Sequence, residues 1–354
     1  DVVVDSRLVT PGAVFVALPG EHADGHDFVD AAARAGAAAA LVARVVDADV
    51  PQVVCADPLA GLWGLAREVV ARATSAGLVV VGVTGSSGKT STKDLIAQVL
   101  EPAGPTVAPP GSFNNEIGAP LTACREDADN RVIVTELGAR GPGHIAELCA
   151  VVRPTIGAVL NVGHAHLGEF GSVAGIAAAK GELVASLDAD GGAVPNADDP
   201  LVTAMASRTR ARIAAFSARG EPADAALRVW ATDVAPDALQ RYSFTLNAAG
   251  AAGGSAPVTL RGLGEHQGAN ALAAAAVGLA AGLGVADVAA ALASAGTRSP
   301  WRMELAERAD GLAVLNDAYN ANPDSMRAAL GALAGLRRRG GRLVAALGDM
   351  LELG

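Results

Sequence analysis

Hydrophobic residues in this chain fall into short unbroken runs set between Gly, Pro and polar turns, and into longer stretches with helical spacing. The run at 79–83 holds four valines and one glycine with no polar position, which predicts a strand covered on both faces. A turn rich in Gly and Ser follows, and beyond it Leu95, Ile96, Val99 and Leu100 recur at the spacing of one helix face. Runs at 2–4, 14–18, 38–43, 52–55, 131–137, 156–160, 213–216, 242–246, 258–260, 303–306, 312–315 and 343–347 predict further strands. Helices are predicted over 28–35, 59–74, 172–187, 264–281, 286–295 and 326–336. Residues 109–120 are too rich in Pro and Gly for a long element and predict a loop. Pro195 makes the segment before it an edge or a strand end. Residues 208–262 are less periodic, with 248–255 predicting a flexible hairpin connection.

The alternation of strands and helices predicts an α/β fold in three units, at 1–76, 77–297 and 298–354. The third unit holds too few elements to cover its own sheet, so the chain is expected to continue past Gly354, and either end is expected to be a truncation. With 51% hydrophobic and 18% charged residues the chain is globular, and with 3% aromatics its core must be built from Val, Leu and Ala. A net charge of −10 disfavours a nucleic-acid partner but leaves anionic small molecules open. Cys55, Cys124 and Cys149 are scattered, without metal or disulfide spacing, and the apolar runs are too short or too broken for a membrane span. The cysteine usage fits a cytoplasmic address, no signal peptide is visible, and a monomer is expected.

Candidate chemistry begins where the first strand of the second unit ends. Gly85, Ser86, Ser87, Gly88, Lys89, Thr90 and Ser91 form a strand–turn–helix passage, where free backbone N–H groups and the helix dipole converge on an anion. Lys89 is placed to reach terminal phosphates and the Thr90 hydroxyl to ligate Mg²⁺, so ATP or GTP binding is expected, although Val83 stands where the general phosphate-loop pattern has Gly. Glu136 ends a strand at the carboxyl edge where ligands of parallel sheets gather; it reads either as a Mg²⁺ ligand or as an ordinary strand-end carboxylate. His164 and His166 follow the strand at 156–160 and could reach the same edge. The neighbours of Lys180 on its helix face are Ile176, Ala177, Leu183 and Val184, which leaves a surface lysine or one turned into the nucleotide cleft. Asp5, Ser6 and Arg7 read as a surface ion pair in a turn or as a hold on phosphate or sugar, and His22 and His26 as polar loop residues.

Several separated blocks resemble the ATP-dependent Mur ligases of peptidoglycan synthesis: Asp-Ser-Arg at 5–7, Thr-Gly-Ser-Ser-Gly-Lys-Thr at 84–90, Asn114 and Asn115, Gly-His-Ala-His-Leu at 163–167, Lys180 with Glu182, and 264–270. Within the family, Asn-Asp-Ala-Tyr-Asn-Ala-Asn-Pro-Asp-Ser-Met at 316–326 and Gly-Asp-Met-Leu-Glu-Leu-Gly at 348–354 resemble the members that join D-alanyl-D-alanine to UDP-N-acetylmuramoyl-tripeptide. The resemblance implies a small N-terminal α/β domain for the UDP-sugar, a central parallel-sheet P-loop ATPase domain, and a Rossmann-like C-terminal domain, incomplete here. It also implies that Asp5, Ser6, Arg7, Asn114 and Asn115 bind substrate, and that Thr90, Glu136 and His166 hold Mg²⁺, with Lys180 carbamylated as a further ligand. His266 and Asn270 would then meet the adenine, and Arg302 and Asp317 the phosphates and ribose. Lys89, Lys180 and His166 would be the catalytic groups. Other classes stay open at this point: a sister Mur-type or folylpolyglutamate-type ligase, a phosphate-loop kinase or GTP-dependent switch, or a non-catalytic nucleotide binder. The loop around Tyr319 argues against both sister ligases, and the absence of an Asn-Lys-x-Asp guanine signature together with an N-terminal substrate unit argues against the kinase or switch.

Overall fold

The computed structural model describes residues 1–109, 111–127, 129–163, 170–336 and 341–350. Near the N-terminus, β1 (Val2–Val3), β2 (Val14–Val16), β3 (Ala39–Val42) and β4 (Gln52–Val54) pair in that order, all parallel. Helix α1 (Val29–Arg34) packs Val29 and Ala32 onto Phe15 and Ala40. Helix α2 (Pro58–Ser75) starts with the Asp57 carboxylate accepting from the Leu59 N–H and Pro58 at its first position, both ordinary start signals. Its buried stripe, Leu62, Ala66 and Val70, joins the core of the next unit.

The central sheet holds β5 (Val79–Thr84), β6 (Thr106–Val107), β7 (Val132–Glu136), β8 (Ile156–Val159), β9 (Gly192–Pro195), β10 (Arg212–Ser217), β11 (Leu227–Pro236), β12 (Arg241–Gly250) and β13 (Gly254–Leu263). Their spatial order is β13-β12-β11-β10-β9-β8-β5-β7-β6, parallel from β6 to β11 and antiparallel beyond. Among the described residues its helices are α3 (Lys89–Leu100), α4 (Gly118–Ala123), α5 (His144–Val152), α6 (Val173–Ala185), α7 (Pro200–Thr203), α8 (His266–Ala280) and α9 (Val285–Ser294). Val81 and Val83 of β5 face a core shared with α3, α8 and α9, while Val80 faces one shared with α2, α4, α5 and α6. Burial on both faces is why that strand carries no polar position. Because β5 lies between β7 and β8, the chain leaves it to opposite sides, and a crevice opens at the carboxyl ends.

A two-stranded antiparallel ladder, β14 (Glu304–Glu307) and β15 (Ala313–Asn316), precedes α10 (Pro323–Gly335). Three sequence expectations change. Residues 227–236 form a strand that the sequence hides, because Arg228 and Asp233 interrupt its apolar run and only Leu227, Val229 and Ala231 point inward. Residues 109–120 are not all loop, since α4 starts at Gly118, where Asn115 Oδ1 accepts from the Gly118 N–H at 2.9 Å. Residues 343–347 are exposed and make no strand, having no ladder partner among the described residues. Pro195 ends β9 in the middle of the sheet, a strand end and not an edge.

Candidate active site

The passage from β5 to α3 is held by groups outside it. Gly88 caps the helix at φ +79°, and a Cβ there would lie 2.7 Å from Asn270 Oδ1, so both conformation and space call for glycine. Asn161, two residues after the end of β8, accepts with Oδ1 from the N–H groups of Ser86 (2.9 Å) and Ser87 (3.0 Å). The N–H groups of the first turn of α3, from Lys89 to Ser91, have no intrahelical acceptor and open onto the crevice. Lys89 folds back, its Nζ donating to Gly85 O at 2.9 Å. Loss of hydration lowers its pKa; the Glu136 carboxylate opposes that shift and the Arg302 cation adds to it.

Glu136, 1% exposed at the end of β7, gathers oxygens and amides around its carboxylate. Thr90 Oγ1 donates to Oε2 at 2.9 Å, and Ser112 Oγ and Asn114 Nδ2 approach Oε1 at 2.9 and 2.8 Å. A buried carboxylate beside a hydroxyl, with no cation in ion-pair distance among the described residues, is a donor set that fits a hard divalent cation. Among the described residues no three His, Cys, Asp or Glu side chains cluster as a protein-only metal site. His164 and His166 lie outside the described residues.

Lys180 is 7% exposed and lines the same crevice, so the surface reading of this lysine is set aside. Burial, with the nearby Lys89 charge adding to it, pushes its pKa down to about 7. Glu182, two residues along the same helix, is spent elsewhere: its carboxylate accepts from the Gly143 and Ala146 N–H groups and caps α5.

The opposite wall comes from α8 and the C-terminal segment. His266 is lowered in pKa by burial, and Asn270 is fixed by Thr92 Oγ1 (3.2 Å) and Gln267 Oε1 (3.1 Å). Arg302 is flanked by Trp301 (φ 59°) and Met303 (φ 51°), two non-glycine residues in the left-handed region, a cost that functional sites often carry. Its Nη2 donates to Thr90 Oγ1 at 3.4 Å, its Cζ stands 4.4 Å from the centre of the Tyr319 ring, and its buried Nε has no partner among the described residues. Asp317 accepts from the Met303 N–H at 3.0 Å, and burial raises its pKa. The cleft between these walls measures about 470 Å³.

The cleft thus brings together Gly85 to Ser91, Glu136, Lys180, Asn114, Asn115, His266, Asn270, Arg302 and Asp317. It does not include Asp5, Ser6 or Arg7, which form a short helical turn with an Arg7–Asp5 ion pair of 2.6 Å. His26 is structural, with Nδ1 2.6 Å from Asp24 Oδ1 and Nε2 accepting from the Ala43 N–H at 2.8 Å. Sequence reasoning passed over Asn161 and Ser112; their only signals are a polar residue directly after an apolar run and a hydroxyl two places before Asn114.

Comparison with known proteins agrees with this geometry. Residues 2–62 match the Mur ligase family catalytic domain, 83–278 the Mur ligase middle domain and 301–354 the Mur ligase glutamate ligase domain. The UDP-N-acetylmuramoyl-tripeptide–D-alanyl-D-alanine ligase of Mycobacterium leprae is 46% identical over 389 residues, covering 99% of this chain and 74% of that one. A crystal structure of MurF from Acinetobacter baumannii superposes with a TM-score of 0.87 at 34% identity, over 100% of this chain and 74% of its own. The MurF ligase of Thermotoga maritima in complex with ADP gives 0.77 at 31% identity, over 94% and 74% of the two chains. Three matched domains in the expected order and this level of identity place the chain in the Mur ligase family.

Proposed function

We propose that this chain is an ATP-dependent amide ligase that joins D-alanyl-D-alanine to UDP-N-acetylmuramoyl-tripeptide, releasing ADP and phosphate. The observation that carries the reading is the convergence of Lys89, Thr90, Glu136 and Lys180, from separate stretches of sequence, on one cleft closed by Arg302. The names and structures of the similar proteins, one of them with ADP, support the substrates and the nucleotide.

The terminal carboxylate of the tripeptide attacks the γ-phosphorus of ATP; an O–P bond forms and the bond to the ADP oxygen breaks. The amine of D-alanyl-D-alanine then attacks the acyl carbon, a C–N bond forms, phosphate leaves, and the amine gives up a proton. Two anions must meet in the first step, so charge cancellation and positioning supply most of the rate. Lys89 swings from Gly85 O onto the terminal phosphates, and the first-turn N–H groups of α3 face the same charge. Thr90 and Glu136, with His166 as the family resemblance implies, would hold Mg²⁺, which when bound would neutralise charge on the phosphate oxygens. The neutral Lys180 amine adds CO₂: its nitrogen forms the N–C bond as one C=O π pair moves onto oxygen, the N–H proton passes to solvent, and the resulting carbamate oxygen would suit that ion.

His266 and Asn270 contact the adenine, Arg302 and Asp317 the phosphates and ribose, and Asn114 and Asn115 the substrate. Asp5, Ser6 and Arg7 hold the UDP-sugar on the N-terminal sheet. The enzyme works as a cytoplasmic monomer; among the described residues no helix is long and apolar enough to cross a membrane. Phosphate release from ATP is measured with UDP-muramoyl tripeptide alone, with D-alanyl-D-alanine alone, and with both. Stoichiometric phosphate and amide product with both is expected, and phosphate release that ignores either substrate overturns the reading.

A further inference from the structure

Two charged residues on α3 lie outside the cleft and are explained by none of the roles above. Lys93 is 1% exposed and Asp94 5% exposed. Adjacent helix positions point about 100° apart and do not ordinarily meet. Here Lys93 Nζ stands 2.9 Å from Asp94 Oδ1 because both side chains reach one buried junction. Lys93 Nζ also donates to Pro109 O at 2.6 Å and Gly111 O at 2.9 Å. Asp94 Oδ2 accepts from the Ser299 N–H at 2.8 Å. Every polar atom of the pair is therefore committed, and to two different segments.

Those two segments carry the polar groups of the cleft. The loop held by Lys93 continues into Ser112 and Asn114, which bond Glu136. The segment held by Asp94 continues from Ser299 into Arg302, which reaches Thr90 Oγ1. The helix that bears the pair begins at Lys89 and Thr90 themselves. A buried ion pair is seldom more stabilising than apolar side chains of similar size, so stability alone does not account for it. We infer that Lys93 and Asp94 are positioning residues for the reaction. Lys93 sets the loop that orients the Glu136 carboxylate toward the divalent cation, and Asp94 sets the hinge that delivers Arg302 to the nucleotide. One helix thereby keeps the metal side and the C-terminal side of the cleft in register. The inference rests on the ligase reading for the reaction it serves, and its binding tests stand apart from it.

The test uses Lys93→Met, Asp94→Asn and the double variant in the intact enzyme. Mn²⁺ affinity of the enzyme–ADP complex is read by electron paramagnetic resonance, ADP affinity by calorimetry without metal, and KM for ATP in the ligation assay. Lys93→Met is expected to weaken Mn²⁺ binding about tenfold, as loss of outer-shell support for a metal ligand does, with metal-free ADP affinity held. Asp94→Asn is expected to raise the KM for ATP several-fold and leave Mn²⁺ affinity near wild type. The double variant, in which neither charge is left uncompensated, is expected to keep both defects. Its return to wild-type values would show that the pair only balances its own charge, and the inference would fall. A drop in Tm with unchanged Mn²⁺ and ADP affinities would overturn it equally. Should Lys93→Met not fold, the double variant and Asp94→Asn decide by the same readouts. If wild type makes no amide product, the ligase reading falls while the Mn²⁺ and ADP titrations still decide the tether.

Discussion

Single residues in the cleft are set by what surrounds them, and Lys180 states this most sharply. An exposed lysine titrates near 10.4 and is almost fully charged at pH 8. Burial and the Lys89 cation bring Lys180 to about 7, so at pH 8 its amine is mostly neutral and able to attack CO₂. In ¹³C-bicarbonate, NMR is expected to show a carbamate resonance that is lost in Lys180→Met and fades as the pH falls below about 7. The sign for stability follows. The unfolded chain holds this proton up to pH 10.5 and the folded chain only to about 7, so the group's contribution rises with pH across that window. A resonance unchanged by the Met substitution would remove Lys180 from this role. Lys89→Ala should lower ligation by at least about 10²- to 10³-fold, the scale of losing one aimed donor, with thermal unfolding unchanged. The uncharged helix face of Lys180 was legible in the sequence as an oddity; only the fold showed that the face turns toward the cleft.

At the level of elements, legibility followed burial. Strand β5 and helix α3 were readable because covering a strand on both faces leaves it wholly apolar, and because the turn between them needs glycine at Gly88. Strand β11 was not, since its outer face is polar and its far half is exposed beyond a bulge between Thr232 and Ala235. Helix α10 was placed too late: Asn322 and Ser325 exchange side-chain and backbone bonds as a capping box, which starts the helix at Pro323. Asn161 shows how an element end shapes a loop. Its single oxygen takes two N–H groups of the phosphate loop, a link between β8 and the β5–α3 turn that no local pattern announces. Asn161→Ala is expected to cost about 1 kcal/mol of stability, since the Ser87 N–H loses its acceptor while the Ser86 N–H keeps the Asn161 backbone carbonyl at 3.2 Å, and to weaken ADP binding. Asn161→Asp keeps an acceptor and should hold stability closer to wild type, yet it sets a negative charge beside a triphosphate and should still weaken ADP. Chemical denaturation and calorimetry separate the two effects; equal behaviour of the two variants would mean that charge at this position does not reach the nucleotide.

Across the whole molecule the cleft is a joint: α3 and β7 form one wall, and α8 with the segment around Arg302, both far later in the chain, forms the other. Arg302 spans it with weak holds, a 3.4 Å hydrogen bond and a ring contact, while its buried Nε lacks a partner among the described residues. A guanidinium held so loosely in a protein of net charge −10 is placed for an anion that arrives from outside. Nucleotide should therefore stabilise the protein across the joint by mass action, about 2.7 kcal/mol at a hundred times Kd. Arg302→Ala should leave the ligand-free Tm within a degree or two, because so little is lost without nucleotide, and should shrink the ADP-induced rise in Tm by weakening affinity. Scanning fluorimetry with and without Mg·ADP makes the comparison. A large fall in the ligand-free Tm would mean that Arg302 is a structural clasp, and an unchanged ADP shift would mean that the C-terminal segment touches the nucleotide without contributing to its binding.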